Sequence, residues 1–260
     1  MRIVVLSENT SNKGFQVEHG LSLYIETEKH KILFDFGASD LFVSNAKRLG
    51  VDLSSVDIAF LSHGHYDHGN GLLAFLEMNH HAYVYMNEMV FEPHYNARNA
   101  FIGLDAKMDH HPRFIKVRED VKIDDELSFV TLPSFKETIR SNGLKVRRGK
   151  YMENDRFEHE MYLQIKEGYK TYLVSGCSHC GLINLIYAFR FDYFIGGFHF
   201  KDLDPVWDED VLLDNVKAIK NSCAKYYTCH CTGSETYQFL KDEVGKNLDY
   251  LACGDTIELS

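Results

Sequence analysis

Asp57-Ile58-Ala59-Phe60-Leu61-Ser62-His63-Gly64-His65-Tyr66-Asp67-His68-Gly69 runs from a short apolar stretch straight into a cluster of metal-ligand side chains. Asp57 to Leu61 suits a short, mostly apolar strand. His63 and His65 stand two residues apart in extended chain, so both rings point the same way and reach one ion. A tight turn then brings Asp67 and His68 back beside them. Borderline metals such as zinc accept imidazole nitrogen and carboxylate oxygen together. Gly64 and Gly69 leave room for a chain that bends around ions. The competing reading is a polar loop enriched by chance in a chain with 14 histidines. Four ligand-type residues within six positions, directly after an apolar strand, argue against it.

Working outward, the N-terminal third reads as strands broken by turns. Ile3 to Leu6 is a short apolar run, and Leu21–Glu26 with Ile32–Phe36 forms a hairpin around Glu28-Lys29-His30. Ser39 or Asp40 caps a helix to about Leu49, stopped by Gly50. Leu72–Met78 is helical and Ala82–Met86 is a strand. The C-terminal half repeats this outline: a hairpin from Met161–Ile165 and Lys170–Val174, a helix over Leu182–Phe189, a strand at Tyr193–Ile195, a helix over Val206–Lys220, a strand at Tyr226–Thr228, and a helix from Ser234 to about Glu243. The middle, Asn87 to Glu160, reads mostly as solvated loops.

Each polar cluster follows a strand: Asp35-Phe36-Gly37, His63 to His68, Cys177-Ser178-His179-Cys180, Gly196-Gly197-Phe198-His199 and Cys229-His230-Cys231-Thr232. Sheets of this kind gather strand ends along one edge, where sites form. His179 and His230 are the expected completing ligands. Cys177 is either a bridging or an outer thiolate, and His199 is either a ligand or a substrate-facing acid/base.

The gross numbers bound the alternatives. A chain of 260 residues, 45% hydrophobic and 25% charged, with only 4 Pro and no linker-like stretch, is expected to form a single domain over residues 1–260. A net charge of −10 disfavours nucleic acid and anionic membranes as partners. A bound metal pair reverses the sign locally, so a small anionic substrate is compatible. The N-terminus has no signal-peptide core and no run is long enough to span a bilayer, which makes the cytoplasm the expected location. The sequence leaves the oligomeric state open. All 6 cysteines lie in the C-terminal third, four of them within two residues of a histidine, so free thiols or metal ligands are expected over disulfides.

Taken together, Ile32-Leu33-Phe34-Asp35-Phe36-Gly37 and His63-x-His65-x-Asp67-His68 resemble the motifs of the metallo-β-lactamase fold superfamily. Within it, Ser175 to Asn184, Gly196 to Phe200 and His230 to Gly233 are similar to the subgroup of 7,8-dihydropterin-6-methyl-4-(β-D-ribofuranosyl)-aminobenzene-5'-phosphate synthase-like proteins. These motifs span residues 32 to 233. The resemblance implies an α/β fold, a four-layer αββα sandwich with mixed sheets and the metals on one edge. It implies a hydrolase with His63 and His65 on one ion, and Asp67 and His68 on the other. His230 matches the last histidine motif. The chain departs from the pattern in lacking a Gly-His-Thr-type motif between His68 and Cys177; His179 is the expected replacement. Cys177 stands where many members have a bridging Asp. Two divalent ions are expected, zinc first, with manganese or iron as alternatives.

The expected chemistry is attack of an activated water on an ester, phosphodiester or thioester. Asp67 would orient the nucleophile and His199 would contact substrate or protonate a leaving group. Asp35 would fix a histidine tautomer from behind, with a turn residue as the bland alternative. Thr232 would offer a hydroxyl or backbone donor, or cap a helix. Lys145 to Lys150 would either meet a phosphate or form a solvated face. Three rival readings remain: a Cys177/Cys180 redox pair, a structural zinc on Cys177, Cys180, Cys229 and Cys231, and iron-dependent oxygen or sulfur chemistry on the same fold.

Overall fold

The computed structural model describes residues 1–132 and 143–260. Its strands are β1 (Arg2–Ser7), β2 (Ser22–Glu26), β3 (Lys31–Phe34), β4 (Ile58–Phe60), β5 (Tyr83–Asn87), β6 (His94–Tyr95), β7 (Phe114–Val117), β8 (Val121–Lys122), β9 (Leu127–Val130), β10 (Lys145–Arg148), β11 (Tyr151–Asn154), β12 (Tyr162–Glu167), β13 (Lys170–Val174), β14 (Tyr193–Gly196), β15 (Lys225–Thr228), β16 (Leu248–Tyr250) and β17 (Thr256–Glu258). The α-helices are α1 (Leu41–Leu49), α2 (Tyr66–Gly69), α3 (Leu72–Met78), α4 (Leu182–Ala188), α5 (Glu209–Ser222) and α6 (Ser234–Val244).

Alternation along the strands sets the layers. In the first sheet, ordered β17-β1-β2-β3-β4-β5-β7, Ile3, Val5, Leu23, Ile25, Ile32, Phe34 and Phe60 face one way, and Val4, Leu6, Tyr24, Leu33, Ala59 and Val84 the other. The former set meets Leu127, Phe129, Leu163, Ile165, Tyr172 and Val174 of the second sheet, ordered β16-β15-β14-β13-β12-β9-β8. The latter set packs on Phe42 and Ala46 of α1 and on Leu72 and Phe75 of α3. Leu173, Phe194 and Tyr226 on the outer face of the second sheet pack on Leu185, Leu212, Val216 and Leu240 of α4 to α6. The result is the expected αββα sandwich. Each buried Leu, Ile or Phe contributes roughly 1.5–3 kcal/mol, so the period-2 pattern that places them inside two sheets at once is strongly selected.

The parallel pairs matter most for function. β3, β4, β5 and β7 run parallel in one sheet, and β13, β14, β15 and β16 in the other. Their C-terminal ends therefore release Asp35, His63, Cys177, His199 and His230 along one edge.

Two expectations need correction. The helix expected over Val206–Lys220 begins only at Glu209. The Asp204 carboxylate accepts the backbone N–H groups of Val206 and Trp207, which holds these residues in a turn. The stretch Asn87 to Glu160, read as solvated loops, instead supplies β6 to β11 within its described part; residues 133–142 of that reading lie outside the described residues. β9 joins the second sheet, and β11-β10-β6 forms a small third sheet. His94, Asp155 and His159 from this region are buried.

Candidate metal centre

β4 ends at Phe60, the chain bends at His63 and Gly64, and after an extended His65 one helical turn, α2, begins at Tyr66. The turn is why Asp67 and His68 fold back beside His63 and His65. The path of the chain is tight: a Cβ on Gly64 would sit 2.2 Å from the Val90 carbonyl oxygen, so glycine is required there.

His63, His65 and His179 each offer a nitrogen, all within 4.8 Å of one another. The Nε2 atoms of His63 and His65 and both ring nitrogens of His179 are buried without a hydrogen-bond partner. Burial, reinforced by neighbouring imidazoles, holds the pKa of all three rings well below the ordinary histidine range. Neutral imidazoles with buried, unused lone pairs leave an uncompensated polar cost that a cation would relieve. The His63 tautomer is addressed from behind by the Ser62 hydroxyl, 2.8 Å from Nδ1. His179 is stacked on Phe157 with ring centres 4.6 Å apart. Its backbone N–H donates to the Glu160 carboxylate at 2.8 Å.

A second donor set lies alongside. His68 Nε2 is 3.2 Å from His230 Nε2 and 3.2 Å from Cys177 Sγ. Asp67 Oδ2 is 3.4 Å from His230 Nε2 and 3.2 Å from His19 Nε2. Two nitrogens on one tetrahedral ion with bonds of about 2.0–2.1 Å stand ~3.3 Å apart, so these spacings suit shared ligation. Outer partners fix the rings: His68 Nδ1 faces Asp35 Oδ2 at 2.7 Å, and His230 Nδ1 faces Asn9 Oδ1 at 2.8 Å. Burial opposes charge on His68, yet Asp35 and Asp67 push its pKa up to about 8. Burial alone would raise the Asp67 carboxyl, but His68, His19 and His230 hold it well below the usual carboxylate range. Asp35, Ser178, His199 and His230 all have positive φ, between 50° and 60°, a strained conformation that clusters at functional sites. The donor sets therefore fit a pair of divalent ions.

The structure thus gathers His63, His65, Asp67, His68, His179 and His230 at one edge, with Asp35 behind them and Cys177 between. His199 also arrives there. Its ring centre is 4.1 Å from that of His179 and its Nδ1 has no partner. Thr232 does not face this space: its hydroxyl accepts the Phe198 N–H at 2.9 Å and bonds Thr228. The cysteines also separate. Cys177 and Cys231 meet His199, with donor atoms within 4.8 Å of one another. Cys180 turns toward the Phe157 carbonyl, and Cys229 joins the inter-sheet core. Among the described residues the four-thiolate zinc set is not assembled, and Cys177 and Cys180 are free thiols.

An open cleft of about 370 Å³ borders Asp67, His179 and His199, with Arg98 and Lys201 on its rim. The basic stretch is used elsewhere: Arg148 pairs with Glu92 and Glu158, and Arg147 lies over the Tyr95 ring.

Sequence reasoning missed Glu8, Asn9, His19, Glu160 and the His94, Asp155, His159 group. Glu8 accepts the His230 N–H at 2.6 Å and the Tyr250 hydroxyl at 2.7 Å. Glu8 and Asn9 follow an apolar strand, the same pattern that revealed the other clusters. His94 sits in an irregular stretch with no such mark.

The family model of the metallo-beta-lactamase superfamily matches residues 16–189. The chain is 26% identical to a 7,8-dihydropterin-6-methyl-4-(beta-D-ribofuranosyl)-aminobenzene-5'-phosphate synthase of Methanocaldococcus jannaschii, over 99% of this chain and 96% of that protein. The solved structure of Tm1679, described as a metal-dependent hydrolase of the beta-lactamase superfamily, is 27% identical and superposes with a TM-score of 0.86, covering 100% of this chain and 99% of that one. Zinc-bound PqqB from Methylobacterium extorquens, 12% identical with a TM-score of 0.60 and 100% of both chains covered, shares the fold.

Proposed function

The chain belongs to the metallo-β-lactamase superfamily, and on that premise we propose that it is a hydrolase working with a pair of divalent ions, zinc first, on a small anionic substrate. The observation that carries this reading is the row of buried, unpartnered nitrogens on His63, His65 and His179 beside the Asp67, His68 and His230 donors.

In this reading His63, His65 and His179 would hold one ion, and Asp67, His68 and His230 the other. When bound, the ions supply a water of lowered pKa and stabilise negative charge on the electrophile. This chain's own groups do the rest. Asp35 and Asn9 keep His68 and His230 in the tautomer that leaves Nε2 free. Asp67 orients the attacking water through its carboxylate, which stays ionised. His199, half-buried at the cleft with Nδ1 uncommitted, holds a proton for the leaving group. Arg98 and Lys201 attract the anionic part of the substrate. The Methanocaldococcus jannaschii relative's name includes a dihydropterin and a 5'-phosphate, so phosphodiesters, phosphomonoesters and pterin-bearing phosphates belong in the substrate screen beside thioesters and lactones.

A second reading rests on the thiols. Cys177 and Cys231 flank His199, and soft sulfur donors hold iron and other redox-active metals as readily as zinc. Metal analysis of freshly purified protein separates the two: zinc or manganese without a visible spectrum supports the hydrolase, whereas iron with one supports oxygen or sulfur chemistry. The functional test is the substrate screen on wild type and His65→Ala. Hydrolysis lost in the variant supports the proposal; no turnover of any class by metal-loaded wild type overturns it.

A further inference from the structure

Beyond the donors already described lies a buried assembly that begins at Asp155. Its Oδ2 is 2.8 Å from His94 Nδ1 and 3.3 Å from His159 Nε2, and its Oδ1 accepts the Phe157 N–H at 2.8 Å. His159 Nδ1 in turn accepts the backbone N–H of Gly64 at 2.9 Å. That last bond fixes the protons. An imidazole that accepts at Nδ1 carries its hydrogen on Nε2, which it gives to Asp155. His94 likewise donates through Nδ1, so its lone pair is on Nε2. This nitrogen is buried and has no partner. His94 is fully buried, its ring centre is 5.5 Å from that of His65 in an edge-on arrangement, and donor atoms of the two residues lie within 4.8 Å. Two nitrogens on one ion with bonds of about 2.0–2.1 Å stand at most ~4.2 Å apart, so these neighbouring rings share a cation once both Nε2 atoms turn toward it.

We propose that His94 is a further metal ligand, contributing Nε2 to the ion held by His65, and that Asp155 positions both. Asp155 acts on His94 directly, by fixing its tautomer in the carboxylate–histidine–metal manner. It acts on His65 at one remove, through His159 and the Gly64 amide in the turn between His63 and His65. The pairing of β6 with β10, which matches His94 to Val146, holds His94 against this edge. The chain has no third-histidine motif between His68 and Cys177, and His94 supplies an imidazole from that interval. This inference rests on the metal-site reading above.

The test uses the full chain stripped with a chelator and titrated with Co²⁺ and, in competition with a chromophoric chelator, with Zn²⁺. Wild type is compared with His94→Ala, His94→Gln, Asp155→Asn and, as an exposed control, His80→Ala. The His94 variants are expected to bind one equivalent about 10–100-fold more weakly and to shift the Co²⁺ visible bands. Asp155→Asn is expected to weaken the same equivalent, while the thermal midpoint of metal-free His94→Gln stays near wild type. Folded His94 variants with wild-type affinity, stoichiometry and Co²⁺ spectrum would overturn the assignment and leave the dinuclear reading standing. A wild type that takes up no metal would overturn both.

Discussion

Asparagine at position 35 is the most informative single change, because it keeps the shape of the side chain and removes its charge. The Asp35 carboxylate takes the Ser62 N–H on Oδ1 at 2.7 Å, and faces the Ser62 hydroxyl at 2.8 Å and His68 Nδ1 at 2.7 Å through Oδ2. An amide has one acceptor oxygen and one donor NH₂. If the oxygen stays on the Ser62 N–H, the NH₂ confronts the hydroxyl and the imidazole. The hydroxyl rotates freely. His68 accommodates an NH₂ only by moving its proton to Nε2, the nitrogen that faces Cys177 and His230. The flip removes the lone pair meant for a metal. A hydrogen bond to a charged group contributes about 1.5–3 kcal/mol. Loss of such an outer carboxylate weakens metal binding about 10–100-fold, equivalent to ~1.4–2.7 kcal/mol. The two ranges agree, so Asp35→Asn is expected to weaken one metal equivalent by that factor and spare the other. Zinc competition with a chromophoric chelator measures it. Ser62→Ala, which leaves the Asp35–His68 bond in place, should spare the equivalent held by His68. A folded Asp35→Asn protein that retains both equivalents within about twofold of wild type would refute the tautomer argument.

Other consequences are independent of this one. Gly64→Ala places a methyl against the Val90 carbonyl, so a loss of about 1–3 kcal/mol in urea unfolding is expected; an unchanged midpoint would contradict the tight turn. Phe129, fully buried between the sheets with its ring centre 5.0 Å from that of Phe60, should lose about 3–5 kcal/mol on truncation to alanine, and a loss near that of a surface residue would contradict the inter-sheet core. His30 lies 2.7 Å from Asp124 and 3.4 Å from Asp57. Burial lowers its pKa, but these carboxylates outweigh it and the net shift is upward. The resulting stabilisation is complete below the unfolded pKa of about 6.5 and fades as pH rises through the folded value. Thermal melts of wild type should therefore decline above that pH more steeply than those of His30→Gln, by up to ~1 kcal/mol; parallel profiles would dismiss the pair.

The sandwich was legible because its inner strands read as short continuous apolar runs, as strands buried on both faces do, and its helices carry ordinary stops, such as Gly50 in the left-handed conformation after α1. The edge that carries the site was legible for a related reason: polar clusters at the ends of successive parallel strands have only one place to meet. What escaped was everything that acts through distance in the chain. Glu8 reaches His230 across 222 positions, and Asp155 reaches His94 across 61. No local periodicity encodes such pairs. The stretch around His94 looked solvated because its strands are short and mixed in polarity, and burial comes from the sheet edge it covers. Thr232 shows the opposite error. Its adjacency to His230 suggested a role in the cleft, but a fully buried hydroxyl needs partners, and it takes them from Phe198 and Thr228 inside the strand-end packing.

The central claim is that imidazoles and a carboxylate from both halves of the chain enclose a pair of cations. Anomalous X-ray scattering from crystals of protein purified without chelators, collected on both sides of the zinc, iron and manganese edges, addresses it directly. Two peaks are predicted, one in ligand contact with His63, His65 and His179 and the other with Asp67, His68 and His230. The absence of any peak from metal-replete crystals, or a peak confined to the Cys177 and Cys231 thiols, would contradict it.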